Sequence, residues 1–274
     1  MMEEKIQKAK QFPFNSLTYQ EMGDLLKHKI LFENENALFL GSFVKDQIRV
    51  DWGANGKESF FMGLHEILES LSKKSEAKVL HMEFIPEECI EEMEKKGFAI
   101  VNEWIDYWHN NVKEVCGKTS DFEEIRELKA GDYEIASKIT QSCRGLSRGY
   151  EGETPEWIKE WSGLDHTKIF LAEVDNEVVG VCCVQLYGFD SDQGTIMWLR
   201  EIAVKPEYHS RKIGYKLMKF ALNWGKEQGA VRSFLACDVD NVKASRLYEG
   251  LGYKRKTDRG QINMQKRLPG EIPQ

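Results

Sequence analysis

Residues 241–253 read NVKASRLYEGLGY. Asp240 or Asn241 caps the helix, both being residue types that accept a backbone N–H from the first turn. Ala244, Leu247, Tyr248 and Leu251 recur at helical spacing, and Gly252 stands where a helix stops. Asn241 and Tyr248 are seven positions apart, two turns, so both lie on one face. By themselves they read as a cap and a half-buried core residue.

Working upstream, VRSFLACDV (231–239) reads as a strand. Before it, Ile213, Leu217, Phe220, Ala221 and Trp224 form one face of a helix that Gly229 ends. That helix follows the loop KPEYHSRKIG (205–214), which leaves the strand TIMWLREIAV (195–204) at Lys205-Pro206. A strand, a polar loop and a glycine at a helix entrance present free backbone N–H groups to an anion, with the helix dipole in support. His209, Arg211, Lys212 and Lys216 concentrate positive charge there. A solvated basic turn has the same composition.

The two stretches together resemble the GNAT superfamily of N-acetyltransferases. That family's second signature, Asn-x-x-Ala-x-x-Leu-Tyr-x-x-x-Gly-Phe/Tyr, is met at every marked position from Asn241 to Tyr253. Its coenzyme loop, Gln/Arg-x-x-Gly-x-Gly/Ala, is met at Gly214 but departs at His209 and Lys212. Lys212 must then offer its N–H from a conformation that glycine accepts more easily.

The resemblance implies an α/β (α+β) GNAT fold, a mixed central sheet flanked by helices. It also implies acetyl-CoA as cosubstrate and an acetyl group moved directly to a primary amine. His209, Ser210, Arg211, Lys212, Ile213 and Gly214 are expected around the coenzyme pyrophosphate. Asn241, Ala244 and Tyr248 are expected beside the coenzyme, and the backbone of Ile202, Ala203 and Val204 along its pantetheine arm. Tyr248 is expected to protonate the leaving thiolate. Glu201, on the strand before the loop, is the candidate base, against its reading as a surface or salt-bridged strand residue. Asp238 is a second candidate base.

The rest of the chain is organised around this half. KIFLAEV (168–174) and EVVGVCCVQLYG (177–188) form a hairpin across Asp175-Asn176, and the second strand is apolar on both faces. DYEIASKITQSC and PEWIKEWSG read as helices before it. In the first half, 37–44 and 47–52 read as a hairpin around Lys45-Asp46, followed by a helix on Phe61, Leu64, Ile67, Leu68 and Leu71. Placing Gly97-Phe98 on Gly252-Tyr253 sets Pro86, Cys89 and Met93 where Asn241, Ala244 and Tyr248 stand. Two tandem copies are expected: 1–118 a degenerate, non-catalytic one that shapes the acceptor pocket, and 119–274 the catalytic one. A last strand pair is expected over 253–268.

The acceptor region carries Arg144, Arg148, Tyr150, Glu151, Glu153, Trp157, Glu160 and Trp161, suited to a cationic amine through charge and cation–π contacts. An amphipathic helix with inward tryptophans fits equally. An antibiotic, a polyamine, an amino acid and a protein N-terminus all remain open as acceptors, a small molecule being favoured. The alternatives are a protein N-terminal acetyltransferase and a non-catalytic acyl-CoA sensor.

Composition narrows the class. A net charge of −7 argues against nucleic acid as a general partner. No run of about eighteen apolar residues exists, so no membrane span is expected. The opening MMEEKIQKAKQF lacks a signal peptide's apolar stretch. The six cysteines and scattered histidines match no disulfide framework or metal site, so reduced thiols, no metal and a cytoplasmic location are expected. A homodimer is allowed.

Overall fold

The computed structural model describes residues 1–44, 46–74 and 77–268, with side chains at 72–74 excepted. The expected turn residue Lys45 and the end of the expected second domain lie outside the described residues. The chain divides into two compact units, Met1–Glu103 with the segment from Gln261, and Trp104–Gly260. That division differs from the boundary expected after residue 118, because two strands are completed from the far side of the chain.

Unit 1 contains helix α1 (Met2–Ala9), strand β1 (Phe14–Asn15), α2 (Met22–Leu25), β2 (Lys29–Glu33), β3 (Ala37–Val44), β4 (Gln47–Ala54), α3 (Lys57–Lys74), β5 (Val79–Met82) and α4 (Ile90–Lys95). β6 (Ala99–His109) then carries the chain into unit 2. Of these, α1, β1, α2 and β2 were not anticipated from sequence. Strands β2, β3 and β4 are antiparallel, β4 runs parallel to β5, and β5 pairs with the last strand among the described residues. Trp52, Phe39 and Phe60 fill the core between this sheet and α3.

Unit 2 continues with β7 (Ile125–Glu127), α5 (Tyr133–Ser142), α6 (Pro155–Ser162), β8 (Thr167–Val174), β9 (Glu177–Tyr187), β10 (Ile196–Val204), α7 (Ile213–Glu227), β11 (Arg232–Asp238), α8 (Val242–Gly250) and β12 (Lys254–Arg255). β13 (Gln261–Arg267) is the last strand among the described residues and belongs to unit 1. Strands β7 to β10 are antiparallel, β10 runs parallel to β11, and β6 covers the far side of β11. The anticipated hairpin turn has Asp175 at φ 52° and Asn176 at φ 64°, the pair of positive values that a tight two-residue hairpin needs. The expected terminal strand pair does not form. β12 joins β6 whereas β13 joins β5.

Unit 1 therefore runs through the antiparallel strands β2 to β4 and unit 2 through β7 to β10, each followed by a helix, a parallel strand and a short helix. The ends of those short helices match atom for atom. Phe98 N–H donates to the Met93 carbonyl and Tyr253 N–H to the Tyr248 carbonyl, both at 3.1 Å. Gly97 (φ 85°) and Gly252 (φ 90°) take the left-handed conformation that makes this reach possible. Among the described residues no helix is long and apolar enough to cross a membrane.

Candidate active site

Strands β10 and β11 pair only at Ile196–Arg232, Met197–Ser233 and Trp198–Phe234, and then part company. A bulge between Leu199 and Glu201 in the β9–β10 ladder goes with this divergence. The backbone of Ile202 to Val204 is thus left without a partner strand on the β11 side. In unit 1, β4 and β5 stay paired along all of β5, and the β3–β4 register runs without a bulge. Beyond that pairing the Trp52 indole donates to the Glu83 carbonyl at 3.1 Å. The opening present in unit 2 is bridged by a side chain in unit 1.

The loop after β10 is held in a specific shape. His209 Nε2 donates to the Val204 carbonyl at 2.7 Å, and Tyr208 Oη donates to Glu177 at 2.7 Å. Lys205 also pairs with Glu177. Ser210 and Lys212 both sit at φ 63°, an uncommon place for side-chain-bearing residues. Lys212 therefore adopts the glycine-like conformation that the motif demands. Residues of alternating hand turn successive N–H groups to one side and make an anion-binding concavity. Among the described residues the N–H groups of Ser210, Arg211, Lys212, Ile213 and Gly214 have no internal acceptor. Arg211 and Lys212 are exposed, whereas Lys216 is held by Glu124 at 2.6 Å. A phosphate-bearing ligand fits these donors and charges. Gly214 lies against Leu247 of α8, where an added Cβ would meet the leucine at 3.5 Å, so loop and signature helix are neighbours.

Asn241 caps α8 as expected, its Oδ1 accepting from Ala244 N–H at 3.2 Å. Tyr248 is 6% exposed and packs edge-on to Tyr107. Burial, then the neighbouring Cys237 and Glu201, hold its hydroxyl well above the usual tyrosine range, so it stays protonated. Ala244 and Leu247 pack on the same core as Ile202 and Val204.

Glu201 is 7% exposed, which disposes of the surface reading, but Arg200 lies 4.0 Å from its carboxylate, so the salt-bridged reading stands beside that of a base. Burial pushes its carboxyl from an ordinary 4.5 up to about 7. The Arg200 charge opposes that shift, Glu153 adds to it, and the Tyr150 hydroxyl and Ile202 N–H oppose it more weakly. A carboxyl that titrates near neutrality is matched to proton transfer at physiological pH. Asp238 is equally buried, but Arg148 holds both of its oxygens, at 3.1 and 3.2 Å. A carboxylate so engaged is a structural anion rather than a free base.

The acceptor region departs from expectation. Trp157 stacks on Trp161 at 5.2 Å, and Trp161 meets Trp198 edge-on. Arg200 lies over Trp157 at 5.3 Å and over Trp198 at 5.9 Å, and pairs with Glu153 at 3.4 Å. The cation–π positions that an acceptor amine was expected to use are filled by the protein's own guanidinium. Arg200 escaped the sequence reading because the bulge that re-aims it leaves no mark in local composition. Arg144 pairs with Glu151 at 2.8 Å, and Glu160 is exposed. Five of the six cysteines are buried and all six are free.

A divergent strand pair, an N–H-lined loop and a capped tyrosine helix thus lie together in unit 2. Residues 123–253 match the acetyltransferase (GNAT) family, and the chain carries a domain of that family there. The chain is 28% identical over 133 residues to an uncharacterized N-acetyltransferase of Methanocaldococcus jannaschii, covering 47% of this chain and 59% of that one. It is 31% identical over 112 residues to a mycothiol acetyltransferase of Stackebrandtia nassauensis, covering 40% of this chain and 35% of that one. Both matches thus leave much of the relative's length unspanned. Among solved structures, a GCN5-related N-acetyltransferase from Sphaerobacter thermophilus superposes with a TM-score of 0.59 at 15% identity, over 86% of this chain and 78% of that one. Another from Kribbella flavida gives 0.55 at 11%, over 96% and 98%. These likenesses speak to the fold.

Proposed function

We propose that unit 2 moves an acetyl group directly from acetyl-CoA to a primary amine of a small molecule. The divergence of β10 and β11 beyond Trp198 and Phe234 is the observation that carries this reading. It frees the Ile202–Val204 backbone to hold an extended arm, and the Ser210–Gly214 N–H groups stand at its outer end as a pyrophosphate cradle. His209 acts through its ring, fixing the loop to Val204. Bound acetyl-CoA supplies the activated acyl group as a thioester.

The chain's own groups do the proton work. An amine with a pKa near ~10.4 is almost wholly protonated at neutral pH. Glu201 takes the amine proton, and its raised pKa suits it to do so. Tyr248, held protonated by burial, gives a proton to the departing sulfur. Backbone N–H groups beside the acyl carbonyl contribute a few kcal/mol when aimed at developing negative charge. We read unit 1 as a non-catalytic copy, supported by its unbroken β3–β4–β5 ladder and by Trp52 where the opening would lie.

The test is calorimetry with acetyl-CoA followed by a screen of amines for thiol release. Micromolar binding with release on at least one small amine is expected. Binding without release on any amine would leave an acyl-CoA sensor. Release only on peptide N-termini would move the acceptor class. Tyr248→Phe is expected to slow transfer by ~10²–10⁴ with coenzyme affinity kept.

A further inference from the structure

Glu201 faces a difficulty as a base, because it is sealed from the space in which an acceptor would sit. Unit 2 holds a cavity of about 320 Å³ at the tip of β11, and Ser147, Arg148, Tyr150, Asp238, Asp240 and Asn241 are on its wall. Glu201 is not on that wall, and only 7% of it is exposed. A proton leaving an amine in the cavity needs an intermediate carrier.

Five carboxylic or hydroxylic side chains lie on the wall, of which Glu151 and Asp240 are solvent-exposed and paired with Arg144 and Arg148. Asp238 is excluded, since Arg148 binds both of its oxygens and also reaches Asp240 at 3.0 Å. Ser147 Oγ is buried without a hydrogen-bond partner, and nothing links it to Glu201. Tyr150 is different. Its hydroxyl is buried without a completed hydrogen bond, and its ring packs on the cluster that holds Cys183, the cross-strand partner of Glu201, whose charge acts on that hydroxyl more than any other. An orphaned buried hydroxyl is costly and calls for explanation. Hydrogen bonds that serve catalysis are often long in the free protein and tighten only when substrate is bound.

We infer that the Tyr150 hydroxyl relays the proton from the acceptor amine in this cavity to Glu201. The inference rests on the acetyl-transfer reading above. The proton balance is simple. One N–H proton of the acceptor ammonium passes to the Tyr150 oxygen as the phenolic proton passes to a Glu201 carboxylate oxygen. Tyr150 ends as it began, Glu201 becomes neutral, and the acceptor nitrogen gains a free lone pair. No oxidant or further reactant is needed. Burial and the Glu201 charge together raise the Tyr150 hydroxyl far above its ordinary range, so the phenol carries protons without resting as an anion.

Tyr150→Phe removes the oxygen and keeps the ring, so packing is retained; an unchanged thermal midpoint and acetyl-CoA affinity will show this. With the amine found in the screen, kcat/KM of the unaltered protein should rise with pH through an inflection near 7. In Tyr150→Phe we expect kcat/KM to fall by ~10²-fold and that inflection to disappear. A variant that keeps its rate within threefold and keeps the inflection overturns the relay. A second readout needs no acceptor: the Glu201 carboxyl is titrated by infrared difference spectroscopy against Glu201→Gln. Loss of the Tyr150 hydroxyl should move its midpoint upward, and an unmoved midpoint also overturns the relay. An unaltered protein that binds acetyl-CoA but acetylates no amine fails at the transfer reading itself. An active one with an unaffected Tyr150→Phe fails at the relay alone.

Discussion

Arg148 grips Asp238 through two parallel hydrogen bonds, at 3.1 and 3.2 Å, although the Asp238 side chain has no solvent exposure. The guanidinium supplies counter-charge to a carboxylate that water cannot reach. Removing only the arginine strips a buried carboxylate of its counter-charge, leaving the Asp240 N–H on Oδ1. Arg148→Ala should cost roughly 2–4 kcal/mol, the lower end reflecting a partly exposed arginine. Adding Asp238→Asn should restore part of the loss. Chemical denaturation of the two variants will check this, and a single variant as stable as the parent would contradict it.

The Glu201 carboxyl makes both activity and stability depend on pH. Its folded-state value of about 7 lies above an ordinary 4.5, so the folded protein binds this proton more tightly than the unfolded chain. That contribution is fully present below about 4.5 and is lost as pH rises through about 7. Across the window it amounts to ~3 kcal/mol. Glu201→Gln, neutral at every pH, should therefore raise the thermal midpoint relative to the parent at pH 8 and leave it little changed at pH 4. Equal effects at both pH values would reject the assignment.

The loop conformation at Lys212 is testable through its backbone. At φ 63° the residue costs about 1–2 kcal/mol relative to glycine. Lys212→Gly should keep acetyl-CoA affinity within about threefold if the N–H is the contact that matters. Lys212→Pro removes that N–H and cannot reach a positive φ, so it should abolish binding. Titration calorimetry will separate the two, and a large loss with glycine would assign the contact to the ammonium group instead.

Asn241 combines a cap with a place in the family signature. Asn241→Ala should cost ~1 kcal/mol of stability through the lost bond to Ala244 N–H. Thermal unfolding measures it. Asn241→Asp, which preserves the acceptor, should recover most of the loss.

Strand exchange has a consequence for truncation. A fragment of residues 119–274 lacks β6 and leaves β11 with an open edge, while a chain ending at 260 strips β13 from β5. Unpaired, largely buried edges aggregate. Both fragments should be insoluble or unfolded, as judged by expression and circular dichroism. A folded, monomeric 119–274 fragment would contradict the division into units.

Much of the site was legible beforehand because it is local. Cap, helix, glycine stop and loop lie within single stretches of chain, so their spacing records their geometry. The left-handed Lys212 followed from a motif position that normally holds glycine. Arg200 over its tryptophans, and Arg148 on Asp238, were not legible. They join residues far apart in sequence, and a bulge alters the strand's alternation.

By itself, then, the sequence from His209 to Tyr253 carried the family match and the order of its elements. Tertiary structure alone decided how tightly each candidate carboxylate is held. Glu201 and Asp238 are alike in sequence and in burial. Burial pushes the Glu201 carboxyl up to about 7 with only a 4.0 Å pairing to Arg200, whereas Asp238 is gripped through both oxygens by an arginine 90 residues away. It also decided where the strands β6 and β13 pair. Strand pairing depends on which edge is open when the chain collapses, and that is a property of the assembled sheet.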